Sequence, residues 1–281
     1  MDDPISPAAG TRMPPILYGT AWKKRATAQL VAQAIRHGFR GIDTACQPRH
    51  YDEAGVGEGI AVCLGATLGR ADLYLQTKFT PASGQDTLTI PYDPQVPLAA
   101  QVAQSLAASL RNLRTDYLDG LLLHSPLATQ ERTFEAWRAL ESVADTAAVR
   151  QIGLSNVYRL EELAALCKVA RVRPAVLQNR FYVDTGYDRE IRAFCAQQRI
   201  VYQSFWTLTA NPQIVGHALL RAIAARMART PAQVLFRYLT QRGVVPLTGT
   251  RSDVHMLEDL AILEFDLPPK DLQAIDGILA P

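Results

Sequence analysis

Cysteine is scarce and scattered in this 281-residue chain: Cys46, Cys63, Cys167 and Cys195 lie far apart, and none belongs to a CxxC pair. That spacing argues against a disulfide framework or a thiolate zinc site and points to reduced thiols. An excess of charge of one sign is also missing. The 29 Lys and Arg residues nearly balance 27 Asp and Glu, for a formal net charge of +2, and no basic run is present to neutralise a phosphate backbone. Nucleic acid is not an expected partner. No apolar run approaches the roughly 20 residues that a membrane helix needs, and the acidic, proline-broken start Met1-Asp2-Asp3-Pro4-Ile5-Ser6-Pro7 is unlike a signal peptide. A cytoplasmic protein with no membrane partner is the expectation. The five histidines never form HxH, so a metal site is hard to assemble and none is expected.

What is present is an alternation that barely breaks. At 48% hydrophobic the composition is that of a globular protein. Residues 1–13 read as a loose leader with a turn at Ala9-Gly10-Thr11. Strands are expected at 15–20, 39–44, 73–79, 118–124, 149–154, 175–178, 200–205 and 244–247. Between and after them, helical spacing of apolar residues predicts helices at 26–37, 53–68, 98–113, 133–146, 160–169, 189–198, 214–227, 231–241, 253–261 and 269–278. Thr230-Pro231-Ala232-Gln233 is a capping box with proline at the first helical position, a fairly specific start signal. Leu118 to His124 is nearly all apolar, as a strand buried on both faces must be. Eight strand–helix units without a linker point to one (β/α)8 TIM barrel with two extra helices, residues 1–281 forming a single domain. The competing open doubly wound sheet is disfavoured because the first strand–helix turn, Tyr18-Gly19-Thr20-Ala21-Trp22, holds no GxGxxG.

Parallel strands in one barrel bring their carboxyl ends to one rim, where such folds place their chemistry. Asp43, Lys78 and His124 each end a strand, and Tyr51 stands at the mouth of the helix after Asp43. Singly, each has an ordinary explanation: a turn cap for the Asp, packing for the Tyr, a backbone hydrogen bond for the His. Lys78 is harder to explain that way, because an ammonium buried without a partner is costly. Together they form a plausible relay. A carboxylate holds an ammonium, and the ammonium lowers the phenol pKa from its usual value of about 10. Tyr51 then exchanges the proton while His124 orients a substrate oxygen. The set suits carbonyl reduction but lacks a hydride source, so a cofactor is implied.

The order Gly41-Ile42-Asp43-Thr44-Ala45, Tyr51-Asp52-Glu53-Ala54-Gly55-Val56-Gly57, a strand ending in Lys78, Asp116 to His124, Ile152 to Asn156 and Leu177-Gln178-Asn179 resembles the aldo-keto reductase superfamily over about residues 15–272. The resemblance implies a (β/α)8 barrel that reduces aldehydes or ketones with NADPH, using Asp43, Tyr51, Lys78 and His124 as the catalytic set. It implies a nicotinamide site at Thr20, Ser155, Asn156 and Gln178, with Phe205 packed on the ring. It places the pyrophosphate near Leu208 and the adenosine end at Thr248, Thr250, Arg251, His255, Glu258 and Asp259, helix starts favouring phosphate.

Three departures from the resembled pattern stand out. The gap from Asp43 to Tyr51 is lengthened by an insert around Gln47-Pro48-Arg49. Leu247 and His255 stand where a lysine and an arginine are usual, which opens NADH as well as NADPH, with Arg251 close enough to compensate. His124 is followed by Ser125, and little chain follows Ile278, which suggests an open pocket for a bulky substrate walled by Trp22, Ser125, Trp206 and the 81–97 loop. A small carbonyl or alcohol is the expected partner, with the protein a monomer or weak dimer. The alternatives are a nucleotide-binding regulatory or sensor barrel with little turnover, and a metal-dependent barrel hydrolase.

Overall fold

In the computed structural model, residues 13–279 are described, so the expected leader turn at 9–11 lies outside them. In chain order the elements are β1 Leu17–Gly19, α1 Thr27–His37, β2 Gly41–Asp43, α2 Glu53–Ala61, β3 Tyr74–Phe79, α3 Leu98–Leu113, β4 Gly120–Leu123 and α4 Gln130–Ala144. There follow β5 Ile152–Ser155, α5 Leu160–Val169, β6 Val176–Arg180, α6 Arg189–Gln198, β7 Val201–Phe205, α7 Pro212–Val215, α8 Ala218–Met227, α9 Pro231–Gln241, β8 Val244–Thr248, α10 Asp253–Leu260 and α11 Pro269–Ile278. The eight strands are all parallel and pair in sequence order until β8 closes on β1. This is a (β/α)8 barrel, and the helices beyond one per strand lie before α9 and at α11.

Side chains alternate across each strand, so every second residue faces the barrel interior. On β3 those are Tyr74, Gln76 and Lys78. Inside, Leu17, Tyr74, Leu122, Val176, Val201 and Val245 form a small apolar cluster with Met13. The larger core lies between the outer strand faces and the helices, built around residues such as Ile42, Leu75, Leu121, Leu154 and Leu177. Glu53 pins this outer layer. Its carboxylate accepts from Thr77 of β3 (2.6 Å) and from Ser109 (2.8 Å) and Asn112 (3.3 Å) of α3.

Local chemistry sets the helix ends. The Thr230 hydroxyl accepts from the Gln233 N–H while Gln233 reaches back to Thr230 N, the expected capping box with Pro231 at the first position. Gly38, at φ 120°, stops α1. Asp52 caps α2, accepting from the Gly55 N–H at 2.9 Å.

Three expectations change. The helix expected over 53–68 ends at Ala61, and in the turn that follows Gly65 bridges antiparallel to Leu68. The helix expected from 133 starts three residues earlier, capped by the Thr129 hydroxyl. The helix expected over 214–227 breaks at Gly216-His217, where His217 Nδ1 accepts from the Leu219 N–H and begins α8.

Candidate active site

Lys78 is 1% exposed at the carboxyl end of β3. Its Nζ donates to both oxygens of Asp43 (2.8 and 2.7 Å) and to the Thr44 carbonyl (2.8 Å). Three acceptors use all three N–H donors of an ammonium. Burial lowers the Lys78 pKa, and the Asp43 carboxylate works against that shift. Asp43 Oδ1 also accepts from the amides of Gln76 (2.7 Å) and Gln178 (2.9 Å). Gln203 Oε1 accepts from the same two amides, at 2.8 and 2.9 Å. Strands β2, β3, β6 and β7 are thereby tied by one buried polar network, which braces the charge pair with dipoles in place of water.

Above this floor stand Tyr51 and His124, their ring centroids 6.0 Å apart and edge to face. The Lys78 ammonium lies 5.4 Å from the Tyr51 ring centroid. The expected lowering of the phenol pKa is not met. Burial, and then the charge of Asp43, raise it, while the Lys78 donors are committed to Asp43 and Thr44. Tyr51 is held as a neutral phenol, the state that can give a proton. His124 is also neutral: burial first, then the positive charge of Lys78, push its pKa down to about 3. The Thr80 hydroxyl bonds His124 Nδ1 at 2.6 Å, leaving Nε2 as the ring nitrogen without a partner among the described residues.

These groups open into a cleft of about 1060 Å³ at the carboxyl rim. Of the expected residues, Asp43, Tyr51, His124, Ser155, Asn156, Gln178, Phe205, Leu208, Thr248, Thr250, His255, Glu258 and Asp259 line it, with Trp22 and Trp206. Four expected residues and one expected segment do not line it. Lys78 lies beneath the surface and Thr20 is fully buried, its hydroxyl donating to the Asp43 carbonyl at 3.0 Å. Ser125, in the bend that follows β4, is not part of the wall. Arg251 stands outside the cleft and donates to the Trp22 carbonyl at 2.6 Å. The 81–97 loop also stays behind the wall: Gly84 accepts from Gln47 (2.6 Å) and Tyr92 donates to the Thr80 carbonyl (2.7 Å).

Sequence reasoning missed Gln47, His50 and Arg180, all of which line the cleft. Arg180 follows Gln178 by two on β6, so strand alternation alone would have placed it inward. Trp22, Asn156 and Trp206 all take positive φ (63°, 59° and 54°), a region costly for non-glycine residues and concentrated at functional sites. Trp22 is clamped at both ends, since its N–H donates to the His50 carbonyl at 2.8 Å. Among the described residues no group of three or more His, Cys, Asp or Glu could hold a metal, and no helix is long and apolar enough to cross a membrane.

The cleft suits a nicotinamide dinucleotide. Gln178, which lines the cleft, donates twice through Nε2 to Asp43 and Gln203, so its Oε1 has no partner among the described residues. Ser155 donates to the Gln178 carbonyl at 2.7 Å, and Asn156 to the His124 carbonyl at 2.8 Å, fixing both beside it. At the far end Thr248 donates to Asp259 at 2.6 Å, next to the capped start of α10.

A family model described as "Aldo/keto reductase family" matches residues 9–211. The chain belongs to the aldo/keto reductase family. It is 29% identical to glyoxal reductase of Bacillus subtilis, covering 88% of this chain and 82% of that one. It is 28% identical to the NADPH-dependent D-xylose reductase of Meyerozyma guilliermondii, covering 96% and 92%. The crystal structure of an aldo/keto reductase from Brucella melitensis superposes with a TM-score of 0.84 at 25% identity, covering 98% of each chain. Membership makes this barrel an NAD(P)-dependent oxidoreductase acting at the carbonyl/alcohol level.

Proposed function

We propose that this reductase, acting as one barrel domain, converts an aldehyde or ketone to the alcohol with NADPH, and accepts NADH. The observation that carries the reading is Tyr51 and His124 meeting in the cleft directly above the Asp43–Lys78 pair, with Ser155 and Gln178 beside them. When bound, the dinucleotide supplies the hydride from nicotinamide C4. Ser155, Asn156 and Gln178 hold its carboxamide and Phe205 covers the ring. Thr248, Thr250, His255, Glu258 and Asp259 take the adenosine end, and Arg251 reaches a 2′-phosphate from its place beside Trp22.

Tyr51 donates the proton to the substrate oxygen as negative charge develops there. The Thr80 hydroxyl, donating to His124 Nδ1, keeps the ring proton on Nε2, which hydrogen-bonds the same oxygen. Lys78, made rigid by Asp43, places a fixed positive charge below the phenolate that the transfer leaves. Burial and Asp43 keep the phenol protonated, the form that reduction uses, while the reverse oxidation uses the phenolate. Trp22 and Trp206, 49% and 46% exposed, flank a mouth wide enough for a bulky substrate.

Tyr51→Phe keeps the ring and removes only the hydroxyl that carries the proton. It is expected to bind NADPH with unchanged Kd by fluorescence titration while kcat falls roughly 10²–10⁴-fold. Near-normal oxidation of NADPH by that variant with an aldehyde panel would sink the reading.

A further inference from the structure

The segment Gln47-Pro48-Arg49-His50 brings a second imidazole into the cleft beside Tyr51. His50 is half-buried, and its ring stacks on Trp22 with centroids 4.0 Å apart. A chain of bonds fixes its protonation. Gln47 Nε2 donates to the Gly84 carbonyl at 2.6 Å, which orients the amide so that Oε1 faces His50 Nδ1 at 2.9 Å. An amide oxygen only accepts, so Nδ1 carries the proton. Burial and the Arg49 guanidinium lower the His50 pKa, keeping the ring neutral. Nε2 is then a lone-pair acceptor with no partner among the described residues.

Tyr51 and His124 both offer donors to the substrate oxygen, and His50 offers the opposite. A carbonyl oxygen cannot satisfy it. We propose that His50 is a specificity-determining residue that accepts a hydrogen bond from a hydroxyl on the carbon next to the reacting carbonyl, so that the cleft selects α-hydroxy aldehydes and ketones. The proposal rests on the reductase reading above and adds to it a recognition group supplied by the insert. With the carbonyl oxygen between Tyr51 and His124, a substituent on the neighbouring carbon runs along the wall made by His50 and Trp22. A methyl group there leaves Nε2 facing an apolar surface, and such unpaired groups are what make hydrogen-bonding sites discriminate.

Glycolaldehyde and propanal differ at that carbon by a hydroxyl in place of a methyl. Their kcat/KM values with NADPH are to be measured for the unaltered protein and for His50→Phe, and only the change in their ratio is read, since the two hydrate to different extents. Damage to the fold lowers both substrates together and leaves the ratio alone. We expect the ratio to shift about tenfold against glycolaldehyde in His50→Phe, and about threefold in Gln47→Leu, which frees the ring without removing it. Gln47→Leu also reads the ratio should His50→Phe fail to fold. An unchanged ratio, with both aldehydes turned over, overturns this assignment and leaves the reductase reading intact. No turnover of glycolaldehyde by the unaltered protein also overturns this assignment, while the reductase reading stands or falls on the aldehyde panel.

Discussion

Asp259 is 4% exposed on α10, and its Oδ2 accepts from the Thr248 hydroxyl at 2.6 Å. Burial raises its pKa to about 6, against which the Thr248 bond works. The folded chain therefore binds a proton between about pH 4 and 6 that the unfolded chain has released, so stability falls as pH rises through that window. Asparagine keeps an acceptor for Thr248 and has nothing to ionise. Asp259→Asn should accordingly gain stability over the unaltered protein as pH climbs from about 4 to 6.5, reaching on the order of 2 kcal/mol, and gain no more above. Denaturant titrations across that range check it; a constant difference would assign the burial a different role. The same arithmetic explains the floor of the cleft. Tyr51 and His124 are both held neutral by burial and neighbours, whereas Lys78, more deeply buried than either, has acceptors for all three donors.

At the level of elements, α2 is shaped by its glycines. A Cβ on Gly57 would lie 2.1 Å from the Asn112 carbonyl and 3.0 Å from the Leu113 backbone of α3. Because the obstacle is backbone, the helices must move apart to admit a methyl group. Gly57→Ala is expected to cost about 2–3 kcal/mol despite alanine's better helix propensity, read as a lower denaturation midpoint; a midpoint at or above that of the unaltered protein would show that α2 and α3 slide freely. Helices were the legible elements. Apolar spacing and caps located α3, α5, α6, α9 and α11 to the residue, since those signals are local. The break at Gly216-His217 was hidden because histidine is an unusual cap. Strand ends were less legible: β1, β2 and β4 were read too long because flanking residues continue the pattern past the last ladder bond, while β5, β6 and β8 run on into polar residues beyond the expected ends. The 81–97 segment read as a pocket wall because its composition marks a loop but carries no direction.

For the whole molecule, barrel closure decides what the sequence could and could not disclose. Strand-end residues Asp43, Lys78 and His124 were readable as a group, because parallel strands in a barrel leave their ends nowhere else to go. The glutamine network was not, since Gln76 meets Gln203 across 127 positions and Gln178 meets Asp43 across 135. Only the register of the closed sheet joins them. Closure also links the two halves of the cleft: Thr248, which holds Asp259, pairs with Tyr18 of β1 where β8 completes the ring. A ligand spanning that cleft contacts strands from both ends of the chain and stabilises the closed form alone. Saturating NADPH, at about 100 times its Kd, should add about 2.7 kcal/mol and raise Tm by roughly 5–10 °C in one cooperative transition. NADH at the same concentration should raise it less if Arg251 reaches the 2′-phosphate, and Arg251→Ala should bring the two shifts together. Equal shifts in the unaltered protein would remove Arg251 from the cofactor site and leave the cleft indifferent to that phosphate.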